Sequence, residues 1–304
     1  MKRQNITFPE MKLDLSEDNL KHKKDDLIKE QTGFDISSYR EVLKLQDFLN
    51  SKIGADWKDK KLNWQLALVL ENAELLDSLD WKWWKKMISD MDNVEIEMVD
   101  LFHFLLSKLL EEGKEESIIA FLIAKDLEQK AGNIAGPATG KSTDEYLIRV
   151  MGGTFFQLVL SNSYIQATMT FLDVWFALGN TTDDLFRKYK MKYTLNMFRK
   201  ENGYKDGTYI KIWGDVEDNV FAQKLQLNIK NDSDYIENLT DALSNEYQNH
   251  KNSDIKKDTK ITMDEFIKGS PNCAILLRQL PSDVMIETMK MMELYKSNKT
   301  ETSI

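Results

Sequence analysis

The sequence is poor in the residues that several common protein classes require. It has one cysteine, Cys273, in 304 residues, which excludes an internal disulfide framework and a site built from several thiolates, and fits a reducing, cytoplasmic compartment. Only 4 prolines and 13 glycines argue against an all-β or loop-rich protein. The three histidines are far apart and form no zinc motif of the His-Glu-x-x-His type.

Long apolar runs and basic stretches are also missing. No segment approaches about 18 apolar residues and no apolar stretch follows the N-terminus, so we expect neither a membrane span nor a secretory signal. The net charge of −9, without a dominant basic stripe, argues against binding nucleic acid directly. Hydrophobic residues at 42% and long Leu/Met/Lys/Glu-rich stretches predict an all-α protein with a real core.

Two predicted helices, within residues 63–78 and 91–110, each carry a pair of carboxylates. Glu71 and Glu74 in the first, and Glu97 and Asp100 in the second, are spaced i, i+3 and therefore share one side of a helix. Leucine, valine and phenylalanine occupy most of the remaining positions, so we expect both helices to be buried nearly all round. Either pair alone is most simply a chance spacing on a solvated face.

Two such pairs on consecutive apolar helices favour a different interpretation. Unpaired buried carboxylates are costly, and a divalent cation is the simplest way to neutralise four converging acids. Oxygen-only ligands favour Mg²⁺, with Mn²⁺ as a substitute. The sequence therefore predicts a metal site, with Glu71, Glu74, Glu97 and Asp100 as its ligands.

Other polar side chains have two interpretations each. A helix predicted to begin after Ser37-Ser38 carries Gln46 and Asn50 at i, i+4, as exposed amides or as groups that read a base edge. The stretch 81–86 (WKWWKK) has two interpretations. Either its tryptophans pack into the core while its lysines are solvated, or it offers a stacking surface for a base beside phosphate-binding lysines. His103 is expected to pack in the core or near the site. The candidates in 81–86 are Trp81, Trp84, Lys82 and Lys85.

A basic helix follows a predicted N-terminus at residues 181–184. Lys192, Asn196 and Arg199 share one of its faces, which either binds an anionic chain or is simply solvated. Gly203 and Gly207 bracket a predicted turn, to which Lys205 adds a cation.

Residues 135–142 (AGPATGKS) match a relaxed phosphate-loop pattern, but the pattern lacks its context. Such a loop must follow a buried β-strand, whereas the preceding residues favour a helix. We therefore expect no phosphate loop here. Composition suggests a polar lead-in (1–35), a more apolar helical region after it, and a polar helical extension (229–304) with an apolar stretch at 285–295.

Several motifs occur in a specific order: LQDFLN, ENAELLDS with WKWWKK, EIEMVDLFHFLLS, and LNMFRKENGYKDGTYIKIW followed by EDN. Together they resemble the dimeric all-α dUTP diphosphatases, within the all-α nucleoside triphosphate pyrophosphohydrolases. The resemblance covers about residues 42–219, and it implies a catalytic domain at 36–228 with a variable insertion at 111–150. It implies a helical bundle and a homodimer in which each site borrows groups from the second subunit.

The resemblance also implies the reaction and the roles of individual residues. It implies Mg²⁺-dependent hydrolysis of dUTP, and of dUDP, to dUMP, with the four acids holding the metal and Glu71 or Glu74 orienting or deprotonating the attacking water. The uracil and deoxyribose pocket would be shaped by Gln46, Asn50, Trp81 and Trp84. The phosphates would be bound by Lys192, Asn196, Arg199, Lys205 and Asn219. The family often has Trp-Asn-Gly before EDN, whereas this chain has Trp213-Gly214-Asp215, so the geometry around Asn219 differs.

Two alternatives remain open at this point. The same acids could serve another nucleotide, for example dCTP. The chain could instead retain the fold as a protein-binding regulator, through the extension or the Trp/Lys segment, since relatives of this family interact with repressor proteins.

Overall fold

The computed structural model describes residues 25–27, 29–30, 36–132, 136 and 141–258, without the side chains of 141–142 and 252–258. Most of the predicted lead-in, the loop at 133–140 except Gly136, and the apolar stretch at 285–295 lie outside the described residues. Within the described residues the chain is almost entirely helical, and two strands of two residues each form a small sheet. The predicted all-α class is therefore confirmed.

Ten helices are numbered here in chain order. They are α1 Ser37–Ser51, α2 Trp64–Asp77, α3 Met91–Glu111, α4 Glu115–Lys130, α5 Lys141–Arg149, α6 Phe156–Leu160, α7 Tyr164–Ala177, α8 Thr182–Glu201, α9 Asp218–Gln226 and α10 Tyr235–Asp258. A 3₁₀ turn covers Trp57–Lys60, a π-helical segment covers Val150–Phe155, and the strands are β1 Ile212–Trp213 and β2 Val216–Glu217.

Helix α3 is the centre of the fold. It contacts α1, α2, α4, α7 and α8, and 13 of its 21 residues are buried, as the apolar pattern predicted. The ring of Phe102 stacks on Phe171 of α7 at 5.5 Å and meets Tyr189 of α8 edge-on at 5.9 Å. Because α3 is packed on every side, polar groups along it are held in fixed directions.

Helix α2 differs from the expectation that it is buried nearly all round, which is wrong. Its buried stripe contains Trp64, Leu68 and Leu75, whereas Leu66 and Leu70 are 51% and 54% exposed. The helix is apolar on two sides, but only one side faces α3. Its second apolar side is therefore an exposed surface of the single chain.

The segment 111–180 forms several short helices. Residues 111–131 give one helix, α4, and the apolar stretch 155–180 gives α6 and α7, separated by Asn162 in a left-handed conformation (φ 57°). A helix, not a buried strand, precedes the phosphate-loop pattern, and α5 begins at Lys141. The expected helix before the pattern is confirmed, and most of the pattern itself lies outside the described residues.

Helix α8 begins and ends as its sequence predicts. Thr181 forms a capping box with Asp184, in which each side chain bonds the other residue's backbone N–H. After the helix, Gly203 (φ 92°) and Gly207 (φ 69°) adopt conformations that favour glycine, and form the predicted turn.

The chain divides into two compact units, residues 1–212 with 216–243, and residues 213–215 with 244–304. In the second unit the Trp213 ring lies 5.5 Å from Tyr247 and stacks near His250. No helix among the described residues has the length and apolar character needed to cross a bilayer.

Candidate active site

A cleft of about 370 Å³ opens between α1, α3 and α8, with two residues of α2, in the first unit. Its volume lies in the range of small-molecule sites. Its polar lining falls into three groups. The neutral hydrogen-bonding residues are Gln46, Asn50, His103, Ser107 and Asn196, the carboxylates are Glu71 and Asp100, and the cations are Lys52, Lys192, Arg199, Lys200 and Lys205. Trp64 and Phe104 supply an apolar wall.

Three of the four predicted acids form a cluster. One carboxylate oxygen from each of Glu71, Glu97 and Asp100 lies within 4.8 Å of the other two. The i, i+3 spacing on α3 places Glu97 and Asp100 on the side that faces α2, and Glu71 meets them from α2. Glu97 is buried, and Glu71 and Asp100 are half-buried.

Crowding and burial change the acidity of this cluster. Burial, followed by the charge of Asp100, raises the pKa of Glu71 to about 8. Burial and then Asp100 likewise raise the pKa of Glu97 to about 7, although Lys192 and a hydrogen bond from Asn93 oppose the rise. Without a further cation, Glu71 therefore keeps its proton near neutral pH and Glu97 is about half protonated.

One cation already contacts the cluster. Lys192 Nζ lies 2.6 Å from Asp100 Oδ2, and the lysine is buried. The resemblance implied that Lys192 binds the phosphates, whereas in the structure Lys192 forms an ion pair with Asp100. It therefore neutralises about one charge of three, and the remaining carboxylates still repel each other.

Glu74 lies outside the cluster. Its side chain is exposed and it does not line the cleft, although its charge raises the pKa values of both Glu71 and Glu97. On α2 it follows Leu66 and Leu70 on the exposed side of the helix. Its role as a metal ligand remains a prediction.

The predicted amides Gln46 and Asn50 are buried and belong to one network. Gln46 Oε1 accepts from Tyr189 Oη at 2.9 Å and lies 2.7 Å from His103 Nδ1, while Gln46 Nε2 donates to Asn50 Oδ1 at 3.0 Å and Ser107 Oγ at 2.9 Å. Asn50 Nδ2 donates to Ser107 Oγ at 3.0 Å, and the Ser107 hydroxyl donates to the His103 carbonyl at 2.7 Å. The network fixes which end of each amide faces the cleft.

His103 belongs to this network and also lines the cleft. Burial, with a smaller effect of Lys192, lowers its pKa to about 3, so the ring is neutral. Because Gln46 Oε1 is an acceptor, Nδ1 carries the proton and Nε2 has a free lone pair. Nε2 is buried and has no hydrogen-bond partner among the described residues, so it is available to accept from a bound ligand.

The predicted phosphate-binding residues after Lys192 are only partly in the cleft. Asn196, Arg199 and Lys205 line it, but Arg199 also forms a bidentate pair with Asp218, at 2.8 and 2.6 Å. Asn219 does not line the cleft, and its Oδ1 is buried without a partner among the described residues. The structure therefore does not bring Asn219 together with the other phosphate-binding candidates.

The tryptophan segment lies apart from the cleft lining. Trp81 and Trp84 stack edge to face at 5.5 Å and are exposed, and Trp83 is 89% exposed. The expectation that these rings plug the core is therefore wrong. Lys82 is paired with Asp77, and Lys85 is exposed. A stacking role for the exposed rings remains a prediction.

Sequence reasoning did not assign several of the cleft residues to a site. Among them are the rings of Trp64 and Phe104, the hydroxyl of Ser107, and the lysines Lys52 and Lys200. Only the packing of α1 against α8 brings the two lysines together, because they are 148 residues apart in sequence.

The donor set fits a hard divalent cation. All three clustered ligands are carboxylate oxygens, and no cysteine or histidine belongs to the group within the described residues. Mg²⁺ and Mn²⁺ prefer such oxygens, and binding would release the protons that the raised pKa values retain.

The comparisons with known proteins give one family. A family model described as dUTPase matches residues 38–204, which is more than half of the chain and includes α1 to α8. A search of curated proteins found no match.

The raised pKa of Glu71 leads to a prediction for the stability of the protein in the presence of a chelator. Its carboxyl keeps a proton in the folded chain at pH values where the unfolded chain has lost it, so stability falls as pH rises toward about 8. We expect Glu71→Gln to raise the melting temperature at pH 8 to 9 by roughly 2–4 °C, with little effect near pH 4.

The measurement is thermal unfolding in EDTA across this pH range. Glu145→Gln, at an exposed position on α5, is the matched control and should leave the profile unchanged. A Glu71→Gln variant less stable than the parent at pH 9 would contradict the inference that the ionised, buried Glu71 carboxylate destabilises the folded chain.

Proposed function

Because this chain belongs to the dUTPase family and is an enzyme that hydrolyses dUTP, we propose that the cluster of Glu71, Glu97 and Asp100 is its catalytic centre, loaded with Mg²⁺ or Mn²⁺. The proposal is supported mainly by the three carboxylate oxygens within 4.8 Å of one another beside the cleft. The products are dUMP and pyrophosphate, and dUDP would give dUMP and phosphate.

The chemistry divides between the bound cation and the protein. The cation would supply charge neutralisation for the attacked phosphate and its leaving group. Glu71 lines the cleft and Glu74 does not, so we assign Glu71 to orient the attacking water and to take its proton. Lys192 keeps Asp100 directed into the cluster through their ion pair.

Base recognition follows from the hydrogen bonds that the amide network leaves free. Asn50 retains one N–H and one carbonyl lone pair after its bonds with Ser107 and Gln46. This pair complements the N3–H and adjacent carbonyl of uracil. Cytosine presents the opposite pattern, and rotating the Asn50 amide to match it would break both bonds.

The exposed side of α2 supports the proposal of a homodimer. Leu66 and Leu70, about one helical turn apart, are 51% and 54% exposed, and Glu74 lies beyond them on the same side. A second copy packed there would also bury Glu74 and bring it into the influence of the metal centre. Localisation in the cytoplasm and a regulatory protein partner remain proposals from the sequence.

The reaction is tested with a nucleotide panel, with and without Mg²⁺. Pyrophosphate release should be fastest with dUTP, should require the cation, and should be lost in Asp100→Asn, since one clustered ligand is weakened. The Glu145→Gln variant is the control. Faster turnover of dCTP would favour the alternative nucleotide, and pyrophosphate release by a folded Asp100→Asn variant would contradict the assigned centre.

Asn50→Ala tests how the base is read. Losing both hydrogen bonds should reduce kcat/KM for dUTP by about tenfold or more and narrow its advantage over dCTP. Steady-state kinetics with both nucleotides measures the ratio. An unchanged ratio would show that the amide does not read the base.

The dimer is tested by placing charge on the exposed side of α2. The double variant Leu66→Lys, Leu70→Lys should sediment as a monomer because lysines cannot be buried there without partners. Leu227→Lys, at an exposed position after α9, should leave the mass unchanged. A parent chain that is monomeric at micromolar concentration would overturn the dimer.

A further inference from the structure

One asparagine links the ends of the two helices that carry the clustered acids. Asn93 is the third residue of α3, and its side chain is half-buried. Its Nδ2 donates to Ser78 Oγ at the C-terminal end of α2, at 2.8 Å, and to Glu97 Oε1 at 3.2 Å. An asparagine amide nitrogen carries two hydrogens, so these two bonds use both of them. Asn93 therefore connects one member of the carboxylate cluster to the neighbouring helix.

The position of Asn93 beside the cluster follows from helical spacing. Asn93, Glu97 and Asp100 are separated by four and three residues, so they lie on one face of α3. The start of this helix is also fixed to α2. Asp90 Oδ1 accepts from the backbone N–H of Asn93 at 3.0 Å, and the backbone N–H of Asp90 donates to the Ser78 carbonyl at 2.9 Å. The amide is therefore held at the cluster through its backbone as well as its side chain.

Ser78 helps to determine which end of the Asn93 amide faces Glu97. The Ser78 hydroxyl donates to the Glu74 carbonyl of its own helix at 3.2 Å, so its oxygen is left to accept from Asn93 Nδ2. If the amide were turned round, its oxygen would face the Glu97 carboxylate, and two acceptors would repel each other. Ser78 and Glu97 thus favour the same orientation of Asn93, the one in which it donates to both.

The protein holds the three clustered carboxylates in different ways. Asp100 is held by its ion pair with Lys192, and Glu97 by the hydrogen bond from Asn93. Glu71 forms no hydrogen bond or ion pair with any residue that the structure describes. Two of the acids are therefore oriented before a cation binds, whereas the third can turn.

We propose that Asn93, oriented by Ser78, is a positioning residue of the metal centre, which holds the Glu97 carboxylate in place as a ligand before the cation binds. The inference rests on the proposed function, because it takes the carboxylate cluster as the metal site. Groups that hydrogen-bond to metal ligands strengthen metal binding, because an oriented ligand loses less freedom when the ion arrives. Two fixed ligands also leave Glu71 as the carboxylate that can follow the attacking water.

The competing explanation is purely structural. Asn93 could serve only to join the end of α2 to the start of α3, where polar side chains satisfy groups left over at helix ends. In that case replacing Asn93 or Ser78 would change the melting temperature and leave metal affinity as it was. Ser78 separates the two explanations, because its hydroxyl bonds Asn93 and the Glu74 carbonyl but none of the clustered carboxylates.

The test measures metal binding by the full chain without any nucleotide. Mn²⁺ is titrated into each protein, and the free ion is followed by electron paramagnetic resonance. Asn93→Leu removes both donors at similar volume, Ser78→Ala removes the acceptor that orients the amide, and Ser78→Thr retains the hydroxyl. Asn238→Leu, at an exposed position on α10, is the matched control. Melting temperatures in EDTA check that each variant folds.

We expect Asn93→Leu to raise the Kd for Mn²⁺ by about tenfold or more, and Ser78→Ala to raise it by a smaller factor. Ser78→Thr and Asn238→Leu should bind Mn²⁺ as the parent does. In turnover, the Mg²⁺ concentration that gives half-maximal pyrophosphate release should rise by the same factors. The kcat at saturating Mg²⁺ should be nearly unchanged, because the ligands themselves are retained.

Parental Mn²⁺ affinity in folded Asn93→Leu and in Ser78→Ala would overturn the positioning role. If Asn93→Leu does not fold, parental affinity in Ser78→Ala is sufficient to overturn it. A parent chain that binds no Mn²⁺ would contradict the proposed metal centre as well. A parent chain that binds Mn²⁺ with the expected loss in both variants, but releases no pyrophosphate from dUTP, would support the positioning role and contradict the proposed reaction.

Discussion

The repulsion among three carboxylates on α2 and α3 is the constraint on which the rest of the site depends. Glu97 and Asp100 lie on α3, which is packed on all sides, and Glu71 meets them from α2. Lys192 neutralises part of this charge, and protons held by Glu71 and Glu97 neutralise more. A divalent cation can replace those protons. The free-energy cost of bringing the carboxylates together is met during folding, so the folded chain binds the metal more tightly.

The other walls of the cleft complement that centre. The network joining Gln46, Asn50, Ser107, His103 and Tyr189 uses nearly all of its own hydrogen bonds and leaves a fixed donor and acceptor for a base. Lys52, Lys200 and Lys205 add positive charge to the lining of the cleft. One cleft thus holds an apolar wall, a hydrogen-bonding wall and charges of both signs, which together suit a nucleotide.

The local patterns predicted much of the fold and part of the site. The period of the apolar residues predicted that α3 is buried, and the i, i+3 spacing predicted that Glu97 and Asp100 share one side of it. Periodicity could not show that α2 leaves Leu66 and Leu70 exposed, because both of its apolar sides look alike in sequence. Contacts between distant helices, such as Lys52 with Lys200 and Lys192 with Asp100, have no signature in local sequence.

The most direct test of the central claim is to count protons released when Mg²⁺ binds. Titration calorimetry at pH 7, in buffers that differ in ionisation enthalpy, measures this number without any nucleotide. The protons held by Glu71 and Glu97 should be displaced, so we expect release at pH 7 that declines toward pH 9. Mg²⁺ binding without proton release at pH 7, or no detectable binding, would contradict the account.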